Sequence, residues 1–110
     1  MSEETPELRV VLMTAPDESE AARLARALVD EGLAACVNLV PGIRSIYRFE
    51  GEVHDEGEVL MIAKTRADRF QALCRRVAAL HPYRVPEIVG LAVPEVAEAY
   101  AAWVSGECSR

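Results

Sequence analysis

Three stretches of this chain are apolar at every position instead of every second one: Leu39-Val40, Val59-Leu60-Met61-Ile62-Ala63 and Ile88-Val89-Gly90-Leu91-Ala92-Val93. Successive side chains of a strand point to opposite faces of its sheet, so runs of this kind bury both faces. Each is far too short to span a bilayer. They demand a sheet covered on both sides, and the remaining segments show what covers one of them.

Leu8 to Met13 is a short Val-rich run that reads as a strand, broken by Thr14-Ala15-Pro16-Asp17. Asp17 is placed to cap a helix, with Glu20 in the capping-box position. Ala21, Leu24, Ala25, Leu28 and Val29 recur at helical spacing, and Gly32 supplies the stop. A second strand region covers 33–40 and resumes at 43–49 after Pro41-Gly42. Glu50-Gly51 suits a two-residue hairpin turn, because glycine tolerates positive φ. The return strand runs from 52 to about 64, with Gly57 expected as a bulge. Thr65 is expected to cap a second helix, with Asp68 in the box position and Phe70, Leu73, Cys74, Val77 and Leu80 as its buried stripe. His81-Pro82 ends that helix. Ile88 to Val93 is a fourth strand, and Pro94 suits the first turn of a final short helix.

The order β-α-β-β-α-β plus a terminal helix predicts an α+β, ferredoxin-like split βαβ plan. Residues 1–7 and 106–110 are expected as flexible tails around one domain, 8–105. In that plan helices cover only one face of the sheet. The apolar residues on the other face would form a large exposed patch, so copies of the same chain are expected to cover it.

Composition narrows the partners. The 110 residues include 12 Lys and Arg against 18 Asp and Glu, a net charge of −6. That balance argues against a nucleic-acid partner, which would call for a concentrated basic face, and it favours cations over anions. With no long apolar segment, no membrane partner is expected. Three cysteines without a CxxC pair suggest reduced thiols and a cytoplasmic location. The acidic start of the chain lacks the plan of a signal peptide. Cys36 and Cys74 read as small core residues, and Cys108, in the expected tail, as the thiol most open to oxidation.

Two segments could carry chemistry. In His81-Pro82-Tyr83-Arg84-Val85-Pro86-Glu87, two further-spaced prolines stiffen a loop in which His81 is either a metal ligand or proton-transfer group, or a helix-ending side chain on the last carbonyls. Glu50, Glu52, His54, Glu56 and Glu58 alternate, which puts them on one strand face. That row is either a cation-attracting ladder or, more commonly for charged rows, a solvated face. No phosphate loop or hydrolase motif is present, and the chain is read as not an enzyme. No obligatory cofactor is expected.

Thr14-Ala15-Pro16-Asp17, Leu33-Ala34-Ala35-Cys36-Val37-Asn38, Pro41-Gly42-Ile43-Arg44-Ser45-Ile46-Tyr47-Arg48, Lys64-Thr65, and His81-Pro82-Tyr83 with Val85-Pro86-Glu87 resemble the CutA family of divalent-cation tolerance proteins. The resemblance implies a cytoplasmic homotrimer whose sheets pack toward a threefold axis, with the long hairpin embracing a neighbour. It also implies a role in copper tolerance, with Cu(II) as a ligand. The positions it assigns to copper ligands are here Met13, Leu80 and His81, of which His81 alone is a strong Cu(II) ligand. Weak, pH-dependent binding at His81, helped by Glu87, is therefore expected, with His54 drawing further ions. His81→Ala is expected to spare the melting temperature. A second reading is a sensor or signalling trimer resembling the nitrogen-regulatory PII proteins, with Tyr47, Lys64, His81, Tyr83 and Glu87 in an intersubunit cleft. A third is a structural hub.

Overall fold

The computed structural model describes residues 6–108. Its elements are β1 (Leu8–Ala15), α1 (Glu18–Asp30), β2 (Cys36–Phe49), β3 (Glu52–Arg66), a 3-10 turn (Ala67–Arg69), α2 (Phe70–Leu80), β4 (Ile88–Ala92) and α3 (Glu98–Glu107). The four strands form one antiparallel sheet in the order β2-β3-β1-β4.

Local chemistry sets the ends of α1. The Asp17 carboxylate accepts the Glu20 N–H at 2.8 Å, satisfying one of the donors left open at a helix start. At the other end Gly32 takes φ +70°, and the N–H groups of Gly32 and Leu33 donate to Val29 and Leu28. This pair of bonds is a Schellman stop, and its left-handed residue is a glycine because a Cβ would be strained there.

The hairpin forms at Glu50-Gly51, with φ values of +52° and +83° and Phe49 paired with Glu52. Two successive left-handed residues match the twist of the flanking strands. The expected bulge at Gly57 is corrected: Gly57 pairs in register with Arg44, and the irregularity lies between Val40 and Ile43. Pro41 has no N–H for the ladder, and Gly42 takes φ +79°. Past this bulge β2 and β3 continue as a two-stranded arm, and the molecule extends 54 Å in its longest direction against 25 and 22 Å in the others.

The start of the second helix also differs from expectation. Thr65 caps nothing. It is fully buried in β3, and its hydroxyl donates to the Leu33 carbonyl at 2.7 Å. The strand runs on to Arg66, and the helix enters through the 3-10 turn without a side-chain cap. Leu73 and Val77 form the fully buried part of the α2 stripe. Its last carbonyl, Leu80 O, accepts from Arg23 of α1 at 2.7 Å.

Residues 11, 13 and 15 of β1 and 59, 61 and 63 of β3 meet Leu24, Leu28, Leu73 and Val77 in the main core, so α1 and α2 cover one face of the sheet. The alternate residues face away from them. Register pairs them across strands: Val40 with Leu60, Ile62 with Leu12, Leu12 with Val89, and Val10 with Leu91. Val40, Val89 and Leu91 remain 40%, 45% and 44% exposed. The second apolar face is thus present and uncovered in the single chain.

The C-terminal tail is corrected too. Helix α3 begins at Glu98, not at Pro94, and reaches Glu107, and Cys108 is 1% exposed. Ala101, Val104 and Cys108 pack on Leu8 and Ala35 in a second small core. Cys108 Sγ lies 3.5 Å from Thr65 Oγ1. Apolar residues at helical spacing carry the helix past the Gly106 position, so Cys108 is the most sheltered of the three thiols, the reverse of the expectation. Cys36 and Cys74 are only half-buried. The expected N-terminal tail falls largely on residues 1–5, outside the described residues. Within it, Glu7 is held by its carbonyl, which accepts the Ala67 N–H at 2.8 Å.

Candidate functional site

A cleft of about 690 Å³ opens between the arm and the loop that follows α2. Its wall includes Tyr47 and Phe49 from β2, His54 and Glu58 from β3, Thr14 from the end of β1, and Tyr83, Arg84 and Glu87 from the loop. Strand alternation places the arm's contribution. Tyr47 pairs with His54 and Phe49 with Glu52 across the hairpin, so these side chains share a face. The Tyr47 and His54 rings stack with centroids 5.1 Å apart.

The acidic row is not simply solvated. Tyr47 donates its hydroxyl to Glu56, and Tyr83 donates to Glu58 at 2.6 Å. Glu58 is 7% exposed despite its charge. The Glu56 carboxylate beside it pushes the Tyr47 phenol up to about 12, because ionisation would lose the bond and set two negative charges together. Burial first, and then the bond to Glu58, raise Tyr83 as well.

An unfolded tyrosine ionises near pH 10, while these two hold their protons to higher pH when folded. Their contribution is complete below about pH 10 and is lost as pH rises through the folded values. Thermal unfolding followed by circular dichroism should show the melting temperature falling above pH 10. A Tyr47→Phe, Tyr83→Phe double variant should fall less steeply. Identical slopes would contradict the assignment.

His81 is the most consequential difference from expectation. It is 8% exposed, and both ring nitrogens are engaged. Nδ1 accepts the Tyr83 N–H at 3.0 Å, which requires that Nδ1 carry no proton. Nε2 therefore bears the hydrogen and donates to the Thr14 carbonyl, 2.7 Å away. Its backbone N–H continues the helix pattern to Val77 O, while its side chain reaches across to β1 and not to the last helix carbonyls. The ring ties the end of β1 to the loop and sets the position of Tyr83, whose ring lies 4.7 Å from it. A metal at either nitrogen must displace a hydrogen bond.

The other expected residues separate. Met13 is 1% exposed in the core beneath α1 and α2. It neighbours Thr14 in sequence, but alternation sends it to the opposite face from the cleft. Lys64 stands toward the far end of β3, bonded to Asn38 with the Cys36 thiol at 3.9 Å, and does not line the cleft. Tyr47, Tyr83, Glu87 and His54 do come together there. Met13, His54 and His81 do not form a ligand set, and no group of three or more His, Cys, Asp or Glu able to hold a metal ion occurs among the described residues. Thr14, and Glu58 as the partner of Tyr83, were not identified from sequence as cleft residues. Positions 58 and 83 lie 25 residues apart, and nothing local in either segment signals their pairing.

Comparison with known proteins agrees in sequence and in shape. A family model described as the CutA1 divalent ion tolerance protein matches residues 9–107. A divalent-cation tolerance protein CutA from Thermus thermophilus is 53% identical over 95 residues, covering 86% of this chain and 92% of that protein. The human protein CutA is 44% identical over 92 residues, 84% of this chain but 51% of its own length. The chain spans about half the length of the plant and mammalian relatives it matches. A solved structure from Thermus thermophilus superposes with a TM-score of 0.88 at 50% identity, covering 91% of this chain and 97% of that one. One from Archaeoglobus fulgidus, described as a periplasmic divalent cation tolerance protein, gives 0.90 at 32% identity, covering 93% and 99%.

Proposed function

The chain belongs to the CutA1 divalent ion tolerance family, and on that premise we propose that it acts as a non-enzymatic, cation-responsive homotrimer in copper tolerance that binds Cu(II) only weakly. The family membership carries a role in divalent-cation tolerance. The ferredoxin-like trimer is supported by the bare apolar face built from Val10, Leu12, Val40, Leu60, Ile62, Val89 and Leu91. The protruding arm adds Ile46 and Val53, 65% and 62% exposed, as a second surface for a neighbour. A cytoplasmic site of action is part of the proposal. No helix among the described residues is long and apolar enough to cross a membrane.

The observation that carries the weak-binding reading is the occupation of both His81 nitrogens. His54 is the imidazole that offers Cu(II) a ligand more readily, with the carboxylates of its strand face beside it. Calorimetric titration at neutral pH should give a dissociation constant no tighter than about 1 μM. Affinity should fall on acidification, because a protonated imidazole does not ligate. His54→Ala should remove most of the binding. Tight binding that survives His54→Ala would place the metal elsewhere.

A second reading, a small-ligand sensor, is favoured by one observation. The cleft brings Tyr47 of β2 together with Tyr83 and Glu87 of the loop after α2 on a single concave surface.

A further inference from the structure

Glu58 presents an unusual combination. It is nine-tenths buried, yet none of the ion pairs among the described residues includes it. The one side-chain hydrogen bond to it among the described residues is the Tyr83 hydroxyl on Oε2, and Glu58 lines the cleft. A carboxylate removed this far from water normally has a cationic partner.

We propose that the cleft binds an organic cation, an ammonium or guanidinium group, seated against Glu58 between the aromatic rings. This deepens the small-ligand reading and rests on it. The wall is built for such a group. Tyr47, Phe49 and Tyr83 line it with aromatic rings, a class of group that attracts cations through its quadrupole. Glu87 adds a second carboxylate, this one exposed, at the same wall, which His54 also lines, and the Glu50 carboxylate and Arg84 guanidinium there already pair at 3.1 Å. The rim repeats the arrangement in miniature: the Arg84 guanidinium sits 5.6 Å from the Phe49 ring centroid while paired with Glu50. A hard divalent ion fits less well, since it calls for six or more oxygen ligands and no group of three or more His, Cys, Asp or Glu able to hold a metal occurs among the described residues.

The test is calorimetry on the full-length protein with three probes of one shape: benzylammonium, benzyl alcohol and phenylacetate. Saturable binding of benzylammonium, at least about tenfold tighter than benzyl alcohol, is expected, because a hydrogen bond to a charged group is the stronger kind. Glu58→Gln keeps an acceptor for Tyr83 and removes the charge, and should lose about tenfold or more. Glu87→Gln, at an exposed position that the fold does not depend on, should lose less, and it keeps the test decisive if the Glu58 variant does not fold. Preference for benzyl alcohol or phenylacetate would overturn the cationic class while leaving a ligand cleft. Binding of none of the three would overturn the cleft reading as well. If none binds and Glu58→Gln alters the oligomeric state by light scattering, the cation is a side chain of a second copy, and the free ligand is overturned.

Discussion

Ile62→Asp should abolish the proposed trimer, leaving aggregated or unfolded chain where the wild type should elute as one stable assembly. Ile62 sits at the centre of the uncovered face, paired with Leu12 of β1 on one side and Asn38 of β2 on the other. In the isolated chain it is half-buried, and the row continues through Leu12 to Val89, 45% exposed. Each such residue contributes on the order of 1.5–3 kcal/mol when fully removed from water. A carboxylate introduced into that layer would have no partner, and the penalty for an unpaired buried charge exceeds what one side chain contributes. Leu60→Asp, beside Val40 and Thr14 in the next row, should behave alike. Because apolar burial and not ligation would drive the proposed trimer, a chelator should leave it intact. Multi-angle light scattering of the wild type provides the decisive check: a soluble monomer would overturn the proposal.

His81→Ala should lower stability by about 2–4 kcal/mol, since it strands the Thr14 carbonyl and the Tyr83 N–H in a site from which water is largely excluded. For a domain of this size that corresponds to a fall in melting temperature of more than about 5 °C. This is the opposite of the sequence-based expectation that the substitution would spare the melting temperature. His81→Gln, which retains one donor and one acceptor, should recover part of the loss. The same substitution frees the loop that places Tyr83 on Glu58, so both phenotypes, lower stability and a disordered cleft wall, should appear together. An unchanged melting temperature would show that the imidazole is not the tie that its geometry indicates.

The sequence by itself determined the elements and their order. Asp17 and Gly32 bound α1 through contacts within a few residues, and Glu50-Gly51 forms the hairpin because left-handed φ is available there at little strain. The two-faced apolar strands were legible because alternation is a property of the strand alone, and they appear in the structure as one face under helices and one face bare. Local signals failed where two assignments competed. Thr65 has the chemistry of a cap, but in the fold its hydroxyl meets the Leu33 carbonyl 32 residues away. Gly57 and Gly42 both read as irregularities, and Pro41, which lacks a ladder donor, decides for the second.

What tertiary structure alone decided is which candidate residues share a site. Met13 and Thr14 are adjacent in sequence and lie on opposite faces. Lys64 follows the right motif and lies away from the cleft. The pairs that define the site, His81 with Thr14 and Tyr83 with Glu58, join residues 67 and 25 positions apart. Such pairings depend on how β1, the arm and the loop after α2 are placed in three dimensions. No periodicity or spacing within any one segment encodes that placement, because a hydrogen bond is set by distance and angle, whatever the separation along the chain.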